Sequence, residues 1–313
     1  LINNSSIILE EILFYKKDVK TIFVKGKLWN KKNKLKIGKL NITLDKMSPN
    51  LILNFINKFS KLESFRNVKL KKGKLIKSKI YLKLTDDNGK KLKKNIVIAE
   101  LNFKDLSLNI KNLNSDLKIK TLIANFDQNT KLFGYVEGFF DKHQFNFNYQ
   151  IDKNKKIKAL GNLLSSKTLE NLVFNKTGFE IKSMPNLRIQ LDGNLFDGFF
   201  KMHAYSDLKN SIIRNNFLNI SKPKNLNSKI SVNFEFKNYK LKNLHNLNFS
   251  YGLRNISCDV NFLLNNKLQI KNLKSYNFDL KKINISKLNE EVLISASGNK
   301  INLTHFKKNL LNK

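Results

Sequence analysis

The chain has 313 residues, 41% of them hydrophobic, which is enough apolar material to bury a core and excludes wholesale disorder. Its formal net charge of +35 invites a nucleic-acid reading, yet among 59 basic residues only Arg66, Arg188, Arg214 and Arg254 are arginine, and phosphate and base-edge recognition leans on the arginine fork. Lysine instead accompanies abundant Asn, Ile and Phe with only 12 Gly and 3 Pro, the profile of AT-rich coding DNA, and the residual shortage of acids leaves attraction to anionic lipid head groups as a second cause of the basicity.

The sequence opens at Leu1 and contains no run of about 18 apolar residues, so no signal peptide or membrane span is legible. The expectation is a single segment, residues 1–313, of a larger β-rich protein whose targeting and anchoring segments lie outside it. Ile7 to Tyr15 reads equally as helix or strand. Ile22 to Leu28 is strand-like and runs into Trp29, the sole tryptophan, which reads as a core anchor. Ser48 and Pro49 are a helix start, and Leu51, Ile52, Phe55, Ile56, Phe59 and Leu62 follow at helical spacing, which predicts a helix over about 49–63. That helix would separate a short N-terminal strand section from the main strand array and lay its apolar stripe on the sheet.

Beyond it, period-two alternation dominates. Ile80, Leu82 and Leu84 alternate with Tyr81, Lys83 and Thr85, and Asp86, Asp87, Asn88 and Gly89 then supply a hairpin turn. Leu101 and Phe103 lie on one parity and Leu106, Leu108 and Ile110 on the other, so a bulge or short turn at Lys104 and Asp105 is needed to keep both halves facing inward. Phe145, Phe147, Tyr149 and Ile151 face away from Asn146, Asn148, Gln150 and Asp152. A short helix through Ser166 to Phe174 would place Leu169, Leu172 and Val173 on one face. Leu187, Ile189 and Leu191 alternate with Arg188, Gln190 and Asp192, and Val232, Phe234 and Phe236 with Asn233, Glu235 and Lys237. Asn265 and Asn266 read as a further turn.

Half-buried strands of this kind predict a mainly-β fold with antiparallel connections, a sheet with one apolar face that lines a groove or packs against another sheet, and one or two short helices packed on it. Lys-Asn-Leu recurs at Lys111, Lys224, Lys242 and Lys271, and Asn-Ile-Ser/Thr at Asn41, Asn219, Asn255 and Asn284, consistent with one hairpin unit laid down repeatedly.

Chemistry is sparse. His143, His203, His245 and His305 are scattered singly, Cys258 is alone, and the adjacent pairs Glu10 with Glu11 and Glu290 with Glu291 point different ways on a strand. No phosphate-cradling glycine loop, nucleophile elbow or calcium loop occurs. The reading is a non-enzyme with no catalytic residue, no metal site and no cofactor. Asn175-Lys176-Thr177 matches a glycosylation acceptor, a match expected by chance in so Asn-rich a chain.

Gly26-Lys27-Leu28-Trp29, the run Lys36-Ile37-Gly38-Lys39-Leu40-Asn41-Ile42-Thr43-Leu44, the helix signal after it, Ile96-Val97-Ile98-Ala99-Glu100-Leu101-Asn102-Phe103 and Gly134-Tyr135-Val136-Glu137-Gly138 together carry a strand, glycine, strand rhythm. In this the chain resembles an internal segment of the AsmA-like superfamily, the YhdP and TamB type of envelope proteins in Gram-negative bacteria. The resemblance implies a periplasmic protein anchored to the inner membrane, whose elongated, curved antiparallel sheet forms an open groove that passes phospholipids between inner and outer membranes. The partner is then phospholipid or another acyl-chain lipid, with the membrane reached through flanking segments and no nucleic acid expected. Independently of that likeness, the alternating sets name the groove candidates: Phe103, Phe145, Phe147 and Tyr149; Leu187, Ile189 and Leu191; Val232, Phe234 and Phe236. A closed β-sandwich serving as scaffold or adhesion module would use the same residues as a dry core, and a basic nucleic-acid binder is the third reading.

Overall fold

Alternation of apolar and polar side chains is satisfied by extended backbone, and the chain is strand through most of its length. The computed structural model describes residues 6–46 and 68–301, apart from the connections 17–18, 32–33, 88–90, 111–115, 127–130, 168–169, 172–179, 216–219, 264–266, 276–277 and 289–290 and the positions 141, 196 and 239. The expected helix at 49–63 lies outside the described residues, as do Leu169, Leu172 and Val173 of the shorter one, the acceptor site at Asn175 and the turn at Asn265 and Asn266. Of the shorter helix, Lys167, Glu170 and Asn171 are helical, and the Glu170 N–H donates to the Ser166 carbonyl at 3.0 Å. The mainly-β, antiparallel architecture is the one expected.

Two compact units divide the chain, Leu1–Asp141 with Asn146–Lys156 and Lys142–Phe145 with Ile157–Lys313. The first contains β1 (Ser6–Lys16), β2 (Val19–Lys31), β3 (Lys34–Leu44), β4 (Val68–Leu75), β5 (Ser78–Asp87), β6 (Lys91–Ile110), β7 (Asp116–Phe126) and β8 (Leu132–Phe140), and β9 (His143–Ile151) contributes to both. The ambiguous opening segment is thus a strand. β1, β2, β3, β5, β6, β7 and β8 pair antiparallel in that order. β6 is long enough to hold two partners in series, β5 along Lys91–Glu100 and β4 along Phe103–Ile110. The change of partner falls at Asn102, whose carbonyl accepts the Ile76 N–H at 2.8 Å and whose N–H donates to the buried Ser78 hydroxyl at 2.8 Å. Leu44, Leu75, Ile80, Leu82, Ala99, Leu101, Phe103, Leu106, Ile119 and Ala124 form this unit's buried core.

The phase change in β6 is present, and its cause is backbone conformation. Asp105 adopts a left-handed φ of 53°, so Lys104 and Asp105 both face outward while Phe103 and Leu106 on either side are buried. Leu101 sits opposite Ala124 and Leu106 opposite Ile119 in unbroken register, so β7 changes phase along with β6. β8 absorbs the shift between Ile119 and Thr121. The result is a crease running across neighbouring strands.

The second unit contains β10 (Lys156–Leu163), β11 (Glu180–Lys182), β12 (Leu187–Asn194), β13 (Phe199–Asp207), β14 (Ile212–Asn215), β15 (Ile220–Lys222), β16 (Ser228–Lys237), β17 (Lys240–Tyr251), β18 (Arg254–Phe262), β19 (Lys267–Lys274), β20 (Phe278–Leu288) and β21 (Glu291–Ile301). β12, β13, β16, β17, β18, β19, β20 and β21 pair antiparallel in that order. β11, β14 and β15 form a small separate sheet. Its Ile181, Ile213 and Ile220, with Leu208, join Phe249 and Tyr251 of β17 in a compact cluster. A second crease crosses this unit at Asn246 and Asn272, with φ of 51° and 53°. Asp259 of β18 serves both, accepting the Asn246 N–H at 2.8 Å and the Asn272 side-chain amide at 3.3 Å.

Candidate functional site

Directly opposed residues of an antiparallel pair share a face, so the register shows which side chains stand together. Across the second unit the register links Leu191, Met202, Phe234, Leu244, Val260, Ile270 and Ile283 in one apolar row from β12 to β20. Parallel to it, Ile189 faces Ala204, Ala204 faces Val232, and Phe200 faces Phe236. The rings of Phe234 and Phe236 stack with centroids 6.5 Å apart. One residue along, on the other face, a polar row runs through Glu235, Asn243, Asn261, Gln269, Asn284 and Ser295. Its amides are bonded, Gln269 Nε2 to Asn284 Oδ1 at 3.0 Å and Asn284 Nδ2 to Ser295 Oγ at 3.2 Å.

The two faces are thus chemically opposite, and the apolar one is not sealed. Leu191, Met202, Phe234, Phe236, Leu244, Ile270 and Ile283 are only half-buried, whereas Leu101 in the first unit's core is 2% exposed. Ile189, Val232 and Val260, each 9% exposed, are buried positions on this face.

The ten groove candidates therefore fall into different surroundings. Leu187, Ile189 and Leu191 are brought onto one face with Val232, Phe234 and Phe236, and the link is β13, whose Phe200, Met202 and Ala204 the sequence reading passed over. The signal was there in the same alternation, Phe200, Met202, Ala204 and Ser206 against Lys201, His203 and Tyr205. Phe103 lies in the first unit's closed core, between Leu75 and Leu122 of the flanking strands. Phe145 is buried and Phe147 half-buried on β9.

Tyr149 has a structural task. Its hydroxyl donates to the Ile123 carbonyl at 3.0 Å and passes over Gly134, where an added Cβ would stand 3.1 Å from that hydroxyl and 1.8 Å from the carbonyl oxygen. Burial pushes the Tyr149 phenol well above its ordinary value. For a group whose folded pKa is raised, the stabilisation is complete below the unfolded value, about 10 for tyrosine, and is lost as pH rises beyond it. Tyr149→Phe is expected to cost about 1 kcal/mol at pH 8, from the lost hydrogen bond. That difference should shrink above about pH 10, as measured by urea unfolding of both proteins.

Titratable groups are dispersed. His203 stacks on Tyr205 and approaches Asn233 Oδ1 at 2.7 Å through Nδ1, and His245 lies 3.4 Å from a Glu235 carboxylate oxygen. Among the described residues no three His, Cys, Asp or Glu side chains are grouped to hold a metal ion. Burial, with Asp259 beside it, pushes the Cys258 thiol to about 11, so it is a poor nucleophile. Lys222 is fully buried, its ammonium donating to the carbonyls of Lys209 at 3.1 Å, Pro223 at 3.0 Å and Ser211. Desolvation draws that amine below its ordinary value against the pull of Asp207. Among the described residues no helix is long and apolar enough to cross a membrane, which says nothing of strands. Comparison with protein families, with curated proteins and with solved structures finds no match to this chain.

Proposed function

We propose that the chain is a non-enzymatic segment of a bacterial envelope protein, of the AsmA-like kind, whose apolar sheet face carries the acyl chains of phospholipids between inner and outer membranes. The observation that carries this reading is the apolar row from Leu191 to Ile283, half-exposed at every position but the buried Val260 and backed by a polar row on the opposite face. At about 4.8 Å per strand, the six steps from β12 to β20 extend for about 29 Å. One leaflet of a hydrocarbon core about 30 Å thick spans about 15 Å, so a lipid's chains fit along the row. Each Å² of apolar surface so covered contributes about 25 cal/mol. In this role the protein sits in the periplasm, held to the inner membrane by segments outside these residues.

Native mass spectrometry of the purified chain tests the reading. Co-purified phospholipid supports it, and a lipid-free, monodisperse chain overturns it. Phe234→Asp is expected to abolish lipid capture with the β-rich circular dichroism spectrum intact, because the side chain is already half in solvent. Loss of the spectrum instead would mean a dry core. The buried core of the first unit, where Phe103 is 7% exposed, favours that second reading, a dry core in a scaffold, for that part of the chain, with its described strands in one sheet and not in a sandwich.

A further inference from the structure

The first unit carries its own surface, on the face opposite its core. Register sets Lys27 of β2 directly against Lys39 of β3, and Lys39 directly against Lys83 of β5, all three exposed. Like charges directly opposed across a sheet repel, and an anionic surface laid over the row relieves that repulsion. Lys79 lies on the same face, one alternation along β5 from Tyr81. Acids near it include Glu100, opposite Lys79 and holding Asn102 Nδ2 at 3.1 Å, and Glu10, in the β1 bulge facing Lys25.

Large apolar side chains stand among these cations in solvent. Ile8 is opposite Lys27 and 65% exposed, Ile98 is opposite Tyr81 and 57% exposed, and Phe133 is 43% exposed on the strand row that runs through Asn125 and Glu100 to Lys79. A sheet face that places lysines between exposed aliphatic and aromatic side chains matches the boundary of an anionic bilayer, where ammonium groups meet phosphate and apolar side chains reach the acyl region.

We propose that this face docks on the surface of an anionic phospholipid bilayer. Charge complementarity selects the occupant. Lysine is a compact point charge suited to a diffuse anionic surface, and isoleucine offers a nucleic acid nothing to stack on. The proposal uses the first unit alone and stands independently of acyl chains on the second, so the two can fail separately: vesicle binding reads this face, co-purified lipid the other.

The test is co-sedimentation of the full 313-residue chain with vesicles of phosphatidylcholine alone or mixed with phosphatidylglycerol. Binding to the mixed vesicles only, released by high salt, is expected. The triple variant Lys27→Gln, Lys39→Gln, Lys83→Gln should lower affinity about a hundredfold, from the contribution of each lysine near an anionic surface. Lys83→Gln alone should lower it about fivefold, which keeps the test informative if the triple variant folds poorly. Equal binding to both vesicle types, unchanged affinity in the variants, or displacement of vesicles by poly(U) RNA at matched phosphate concentration overturns the proposal.

Discussion

Lys222→Ala is expected to cost about 3–5 kcal/mol, and urea unfolding of the full chain measures it. Among the described residues it is the largest fully buried side chain, at the end of β15, and its ammonium is the shared donor for the carbonyls of Lys209, Ser211 and Pro223. Burying a charge is costly, and here each of the three ammonium protons has a carbonyl to meet, so the penalty is largely offset. Alanine removes both the methylenes that pack and the donors. Lys222→Met separates these contributions, since it restores the packing but leaves the carbonyls without their shared donor. It should retain a deficit of about 1–3 kcal/mol. A Met variant as stable as the original would show that the ammonium is only tolerated there.

Gly134→Ala is expected to destabilise the first unit by about 3 kcal/mol, measured by the shift in urea midpoint. A Cβ at that position would stand 1.8 Å from the Ile123 oxygen and 2.8 Å from its carbonyl carbon, and both are backbone atoms of the paired strand, so neither can swing aside. Relief requires β7 and β8 to part locally, which also breaks the Tyr149 hydrogen bond to the same carbonyl. The two effects are coupled: in Gly134→Ala, the further change Tyr149→Phe should cost little, because the bond it removes is already lost.

These sites mark the limit of what a single sequence exposes. Alternation in Val232 to Phe236 or Leu187 to Leu191 is local, so strand identity and facing are legible, as is the need for an irregularity at Asp105 where the parity flips. The equivalent flip between Ile270 and Leu273 carries the same signal at Asn272 and was readable in the same way. Partnership is not local. Nothing in the order of residues says that β13 joins β12 to β16, that Tyr149 spans a neighbouring strand at Gly134, or that Lys27, Lys39 and Lys83 stand in one row. Lys222 is hidden for another reason: in a chain with 59 basic residues, a single buried lysine has no distinguishing neighbourhood. Phe103 and Phe234 look alike in sequence, each alternating with polar residues, and only burial separates a core side chain from one that faces solvent.

The creases at Asp105 and at Asn246 with Asn272 bear on how such a chain avoids mispairing. A sequence that repeats apolar, polar, apolar through strand after strand is nearly indifferent to sliding one strand by two residues, since every side chain keeps its face. A left-handed residue removes that indifference. Sliding β19 by two would carry Asn272 away from Asp259 and bring Ile270 or Lys274 to the position where the backbone must turn left-handed, a conformation that is especially unfavourable for a β-branched residue. Asp259, bonded to asparagines on both sides, therefore acts as an alignment key across three strands. A monotonous pattern acquires a single reading frame from a few residues that break it.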